Sequence, residues 1–310
     1  MIRRFALALT ALVAIPFCAA AAPLKFGVLN DISSLPYLVA DDEGLFAQAG
    51  VDVQLVRFQS AVERDAALQA GAVDGAIGDL LGAALAREQG FKLMAVASTE
   101  GRYVLLGAPG QKLTLKGLAG QSIGGSTNTI IHFMVSRMLT GAGVAPSDVN
   151  LLSVPKMPVR LEMLLQGQLK AASIPDPLAA VALSRGATLL GDSDRLNEDP
   201  AVILFNQPFV DANAPKIAAF LAAGDRAGKA INADHDRYWK FLVDKAGFPD
   251  GVKTWFVFPS YRPPRLPSDA AVASVTAWLK DRGLVKTAWT SADLVDRRVL
   301  TAWTALSGQR

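Results

Sequence analysis

Hydrophobic and polar positions along this chain switch between a period of two and a helical period. Leu24 to Leu29 is apolar and stops at Asn30-Asp31, which reads as a strand. Leu35, Leu38, Val39, Leu45 and Phe46 then share one side of a helix expected from Pro36 to about Ala49, with the proline suited to the first turn. Val51 to Phe58 alternates as a strand does. Ser60 stands where a helix cap would, and Glu63 three residues on completes a capping box for a helix to Ala70. Val73 to Ile77 reads as a strand, Leu80 to Glu88 as a helix and Phe91 to Ala97 as a strand. This β-α-β-α-β-α-β order predicts an open, mainly parallel sheet covered by helices.

The scheme then runs again. Tyr103 to Ala108 is a strand, followed by a turn-rich segment with a short helical turn at Leu115 to Leu118. Strands are expected at Ser122 to Gly124, Asn150 to Val154, Ala171 to Ile174 and Ala187 to Gly191. Helices are expected from Ser126-Thr127-Asn128 to Thr140, from Val159 to Gln166 and from Leu178 to Arg185. Ala201 to Asn206 is apolar and returns towards the first half. From Ala214 the pattern is helical, Trp255 to Arg265 interrupts it, and Ser268 to Leu306 reads as helices bracing the first half.

A direct repeat underlies this doubling. Asp52 to Gly71 returns in outline 96 residues later as Asp148 to Gly167, with Asp, Val, Leu, Arg, Leu and Gly in register. Each copy leads into a small-residue strand that stops at an aspartate, GAIGD at 75–79 and AASIPD at 171–176. Two similar α/β lobes in one chain imply a cleft between them, and such clefts are preferred places for small ligands.

The N-terminus changes the setting. Arg3 and Arg4 precede an apolar run from Phe5 to Phe17, then Cys18 and a stretch of alanines. That is the layout of a secretory signal over residues 1–21, and the run is short for a membrane span. Phe17 stands before Cys18 where a lipoprotein signal wants a small residue, so cleavage after Ala21 is favoured over a lipid anchor. Cys18 is the one cysteine, so the exported chain carries no disulfide, thiolate nucleophile or cysteine metal site. The formal charge of +3 includes Arg3 and Arg4, and the remaining Lys and Arg are scattered, which argues against nucleic acid as a partner. About 288 residues remain for the folded part.

The run from Leu24 to Asp79 resembles the first lobe of an extracytoplasmic solute-binding protein of an ABC importer. The likeness rests on Pro36, Ala40, EGLF at 43–46, Gly50, Phe58-Gln59-Ser60, Gly71 and Asp74. The second half adds STNTI at 126–130, PVRLEMLLQGQ at 158–168 and IPDP at 174–177. The group includes binding proteins for nitrate, taurine, alkanesulfonates and thiamine-precursor pyrimidines. Lys170 departs from it, where an acid matching Asp74 is common. The resemblance implies an α/β fold of two similar lobes with mainly parallel sheets, hinged around a central cleft in the manner of type II periplasmic binding proteins. It also implies a monomer that closes on a small-molecule ligand and presents it to a membrane ABC permease, with no cofactor. The first lobe is expected to take residues 22–102 and 206–310 and the second 103–205, with chain crossings at Glu100 to Tyr103 and Leu204 to Asn206. Gly101 is either a hinge residue or an ordinary turn glycine.

Candidate site residues follow from topology, because ligands of open parallel sheets meet the carboxyl ends of strands. That selects Asn30, Asp31, Ser33, Ser34, Leu35, Ser60, Asp79, Arg102, Ser126, Thr127, Asn128, Pro158 and Asp176. Ser126 to Asn128 precede a helix whose free N–H groups attract carboxylate, sulfonate or phosphate, or else Ser126 merely caps it. Asp31, Asp79 and Asp176 favour an amine, an amidine-like base or hydroxyls, or else they too are caps. Arg102 neutralises an acidic ligand group or pairs with one of these aspartates. One aromatic among Phe58, Tyr103 and Trp255 is a candidate to line the cleft. Together these favour a small polar organic ligand over an inorganic anion.

Two other functions remain open. The fold also serves enzymes of pyrimidine and futalosine pathways, and the same clamp serves as a sensory input module. The chain has no Walker loop or dinucleotide fingerprint. His132 reads as a packed helix residue and His235 as a solvated helix start. Asp234, His235 and Asp236 point different ways on a helix and make a poor metal set.

Overall fold

The computed structural model describes residues 22–196 and 198–308, so the expected signal segment and Cys18 lie outside the described residues. In the first lobe β1 (Leu24–Leu29) leads to α1 (Leu35–Asp42) and α2 (Leu45–Gln48). The single helix expected over 36–49 is broken at Gly44, which takes φ +66, a conformation that costs glycine little. There follow β2 (Val53–Phe58), α3 (Ala61–Gln69), β3 (Gly75–Asp79), α4 (Leu80–Glu88) and β4 (Leu93–Ser98). After the first crossing the chain forms β5 (Tyr103–Gly107), β6 (Ser122–Gly125), α5 (Ile130–Gly141), β7 (Asn150–Ser153) and α6 (Met157–Leu165). The second lobe closes with β8 (Ala171–Pro175), α7 (Leu178–Ser184) and β9 (Thr188–Asp192). Then come β10 (Ala201–Asn206), α8 (Gln207–Ala233), α9 (His235–Ala246), α10 (Asp269–Asp281), α11 (Ser291–Leu294) and α12 (Arg298–Ser307).

The strands form two five-stranded sheets in matching orders, β2-β1-β3-β10-β4 and β7-β6-β8-β5-β9. In each, one strand runs against the rest, and it is the strand adjoining a crossing: β10 between β3 and β4, β5 between β8 and β9. The other strands run the same way, and their carboxyl ends carry the loops that meet between the lobes. Because β10 pairs with β3 and β4, the return crossing lies before Ala201 and not at Leu204 to Asn206. A non-local antiparallel pairing decides this, and no local pattern announces it.

The first lobe is built around aromatic packing. Tyr37 and Phe46 stack on Phe220 of α8 at ring distances of 4.7 and 5.4 Å, and Phe26 meets Phe220 at 4.5 Å. Rings at this spacing add to area burial. The small residues of β3 answer the bulk of β10: a Cβ at Gly75 would lie 2.4 Å from the Phe205 ring. α10 and α11 pack on α4, and α12 on α8, so the last helices brace the first lobe. The 3-10 turn Asp250–Trp255 does otherwise and packs against α7 of the second lobe.

Candidate functional site

The lobes meet through their strand-end loops. Across the cleft, the Ile32 N–H donates to the Asp176 carbonyl at 3.1 Å, and the Met157 N–H donates to the Gln59 carbonyl at 3.3 Å. Lys156 Nζ lies 3.5 Å from Glu63. The lobes are therefore closed on one another. Between them lies a narrow cavity of about 30 Å³. Its first wall includes Asp31, Ser33, Arg64 and Asp79, its second Ser126, Thr129, Met157 and Arg160, and Tyr103 comes from the crossing. Leu29, Ile77, Ile130 and Ile131 supply apolar surface.

On the first wall Arg64 is held among carboxylates. Arg64, in the first turn of α3, donates to Asp65 Oδ1 from Nε at 2.8 Å and from Nη2 at 2.7 Å, and Nη2 lies 3.4 Å from Asp79 Oδ2. Asp79 caps α4 by accepting the Gly82 N–H at 2.8 Å. Asp31 accepts the Ser33 N–H at 3.1 Å and the Ser33 hydroxyl. Burial holds the Asp31 and Asp65 carboxyls above their ordinary range, against the pull of Arg64. On the second wall Arg160 Nη1 donates to the Val154 carbonyl at 3.3 Å, and burial alone lowers its pKa to about 10.

The fold recurs in known proteins. Residues 31–237, more than half of the chain, match the family described as NMT1/THI5 like. The chain belongs to that family. Three solved structures are similar to it. The alkanesulfonate-binding protein SsuA from Xanthomonas axonopodis pv. citri, bound to MOPS, has a TM-score of 0.78 at 20% identity, over 90% of this chain and 100% of that one. The periplasmic nitrate-binding protein NrtA from Synechocystis PCC 6803 has a TM-score of 0.74 at 14% identity, over 94% and 89%. The desulfurization enzyme DSZB has a TM-score of 0.67 at 15% identity, over 94% and 100%. At these identities the likeness is one of fold, the two-lobed fold of periplasmic binding proteins. No curated protein sequence matches the chain.

In this NMT1/THI5-like chain the candidate residues divide. Asp31, Ser33, Asp79 and Ser126 stand on the cleft wall. Ser34 and Leu35 are buried beneath it, the Ser34 hydroxyl accepting the Leu29 N–H at 3.0 Å, and Asn30 is half-buried off the wall. Ser60 caps α3 by accepting the Glu63 N–H at 3.2 Å, while the Glu63 carboxylate takes the Gln59 N–H rather than that of Ser60. Pro158 occupies the first turn of α6, outside the wall that its neighbours Met157 and Arg160 form. Arg102 pairs with Asp176 Oδ2 at 2.6 Å, leaving the buried Asp176 Oδ1 without a partner among the described residues, and Arg102 also reaches Asp194 at 2.8 Å, which ties the crossing to the second lobe.

The expected helix start at Ser126 is corrected. α5 begins at Ile130, with Asn128 at φ +57 and Thr129 extended before it. Thr127 and Asn128 lie off the wall: the Thr127 hydroxyl meets Ser153 at 3.4 Å, and the Asn128 N–H donates to His132 Nδ1 at 3.3 Å. Ser126 caps nothing, and its buried hydroxyl has no partner among the described residues. Of the three aromatics Tyr103 is on the wall, whereas Trp255 is exposed. Lys170 pairs with Gln121 at 3.0 Å, away from the cleft.

Sequence reasoning missed Arg64 and Arg160 as site residues. The repeat carried the signal, since arginine recurs in it 96 residues apart, at the same turn of equivalent helices. His132 packs edge-on against Trp278 at 4.9 Å, and burial with Arg282 nearby lowers its pKa to about 4. Asp234 caps α9, His235 stacks on Phe258 and Asp236 pairs with Lys253, so the three serve separate ends. No group of metal-ligating side chains occurs among the described residues. Nor is any helix among them long and apolar enough to cross a membrane.

Proposed function

We propose that this chain is an extracytoplasmic solute-binding protein, which captures a small polar organic ligand between its lobes and delivers it to a membrane importer. The observation that carries this reading is the pair of hydrogen bonds from Ile32 to Asp176 and from Met157 to Gln59, which join the lobes over a cavity walled by both. A ligand held there adds contacts only in the closed form, and that difference is what drives hinge closure. Two proteins of similar fold carry binding names, for alkanesulfonate and for nitrate. The enzyme reading draws on the fold likeness to DSZB, but the wall holds neither cysteine nor histidine to act as a nucleophile or its base.

The test is native mass spectrometry of the protein from its host, followed by small-angle scattering before and after the bound molecule is removed by partial unfolding and refolding. The reading expects a co-purified small molecule, recovered unchanged after long incubation, and a larger radius of gyration once it is gone. Turnover of the bound molecule, or no molecule and no change in shape, would reject it.

A further inference from the structure

The hydrogen bond that joins the lobes at Ile32 is prepared from behind. Ile32, whose N–H donates to the Asp176 carbonyl at 3.1 Å, is buried, and its own carbonyl accepts the Tyr261 hydroxyl at 2.8 Å. Tyr261 is fixed in turn. Its N–H donates to the Asn232 side-chain oxygen at 3.0 Å, and its carbonyl accepts from the Asn232 amide at 2.8 Å. This two-way pairing ties the Tyr261 backbone to α8 of the first lobe. A Cβ at Gly228, one turn before Asn232, would lie 3.0 Å from the Tyr261 Cβ, so glycine lets the segment sit close on the helix. Hydrogen bonds weaken steeply when misaligned, so the orientation that Tyr261 gives Ile32 bears directly on the bond to Asp176.

The same stretch of chain reaches the other lobe. Ahead of Tyr261, the 3-10 turn Asp250–Trp255 packs against α7, the helix that follows Asp176-Pro177. The turn and the residues after it are fastened to α9. Asp250 accepts the Trp239 indole N–H at 2.8 Å, and Lys253 pairs with Asp236 at 2.7 Å. Phe256 packs on Trp239 and Phe258 on His235, at ring distances of 5.5 and 4.6 Å. One segment therefore touches both sides of the interlobe bond, the donor loop through Tyr261 and the acceptor's helix through the turn.

We propose that residues 250–261 form an interlobe strap: Tyr261 aims the Ile32 N–H at the Asp176 carbonyl, the 3-10 turn holds α7, and the strap sets how readily the lobes part. Tyr261 is a positioning residue, since it stands outside the cleft wall. The strap concerns the contact between the lobes and not the occupant of the cleft, so it stands apart from the solute-binding reading. In a solute-binding protein it would govern release, because the lobes must part before an enclosed molecule leaves.

Hydrogen exchange of the Ile32 amide reads the bond directly and needs no ligand. Tyr261→Phe keeps the ring and removes the hydroxyl. It should speed exchange at Ile32 about tenfold, the scale of one net hydrogen bond, and leave the amides of β3 at their wild-type rates. Val252→Ala trims the buried residue of the 3-10 turn and should also speed exchange at Ile32, although it leaves Tyr261 intact. Tyr238→Phe is the control. It removes another tyrosine hydroxyl of the first lobe, one that donates to Glu43 at 2.9 Å, and should leave Ile32 at its wild-type rate. The strap is rejected if Tyr261→Phe leaves Ile32 exchange unchanged, if Tyr238→Phe speeds it as much, or if exchange rises equally through β3, the mark of general loosening. Should Tyr261→Phe not fold, Val252→Ala decides by the same amide: faster exchange there than in wild type supports the strap, and an unchanged rate rejects it. Solute capture is tested separately by the co-purified molecule, so either idea can fail while the other stands.

Discussion

The Ile32 N–H reaches the Asp176 carbonyl at 3.1 Å, a backbone-to-backbone bond between residues 144 positions apart and on opposite lobes. Substituting the side chain of either residue leaves such a bond in place. The ion pair beside the other such bond, from Met157 to Gln59, joins Lys156 to Glu63, is about half exposed on both sides and adds little. Lys156→Ala is therefore expected to change stability by less than about 0.5 kcal/mol and to leave the radius of gyration unchanged. A loss several times larger in urea unfolding, or a scattering curve of an open form, would show that the ion pair and not the backbone holds the lobes.

Both chain crossings are fastened by the segment that interrupts the last helices. Glu100 of the first crossing accepts from Arg262 at 2.8 Å and from Arg265 at 2.9 Å, and Asp199 of the second lies 2.8 Å from Arg265. Glu100 is mostly buried, so these charge-assisted bonds keep much of their strength. Glu100→Gln is predicted to cost about 1–3 kcal/mol and to speed ligand release, because the crossings must rearrange when the lobes part. Stopped-flow release at wild-type rates would remove this network from the hinge.

What was legible and what was not divide along physical lines. β3 and β8 stood out because small residues ending at a polar group need only local pattern to be read, and their register in the two sheets follows from the doubling. Arg64 and Arg160 did not stand out as site residues, because an arginine in a first helical turn ordinarily points into water. Both line the space between the lobes, a juxtaposition that sequence spacing does not contain. The start of α5 was misplaced because Asn128 adopts φ +57, a choice fixed by the His132 ring accepting its N–H. Asp79 was legible as a cap or a ligand group, and the cap is what the Gly82 N–H reveals.

Gly75 gives a sharp stability test of the first sheet. A methyl group there would sit 2.4 Å from the Phe205 ring and 2.7 Å from the Leu204 carbonyl, so both a side chain and the backbone of β10 would have to move. Gly75→Ala is expected to destabilise by about 1–3 kcal/mol. At Gly141, the last residue of α5, a methyl group would meet nothing within 4 Å, and φ is not positive. Gly141→Ala should therefore stabilise by about 0.4–1 kcal/mol through the unfolded chain. Equal effects of the two substitutions in urea unfolding would contradict the packing of β3 against β10.

Two buried groups make stability depend on pH in opposite senses. Burial raises the Asp176 pKa to about 6, with Arg102 pulling against it, from an ordinary value of 3.8. The folded protein binds that proton more tightly than the unfolded chain, so the contribution of Asp176 is full below about pH 4 and is lost as pH rises to about 6, on the order of 3 kcal/mol in all. His132, lowered to about 4 from 6.5, resists protonation when folded. Its contribution is full above about pH 6.5 and is lost as pH falls towards 4. Asp31 and Asp65 share the sense of Asp176, so the variants and not the absolute curve separate the two groups. Relative to wild type, Asp176→Asn should lose ground as pH falls from 6 to 4, and His132→Gln should gain ground over the same range. Urea unfolding of the three proteins at half-unit steps measures both differences. Curves that run parallel to wild type would mean that neither residue titrates in the folded protein as its burial requires.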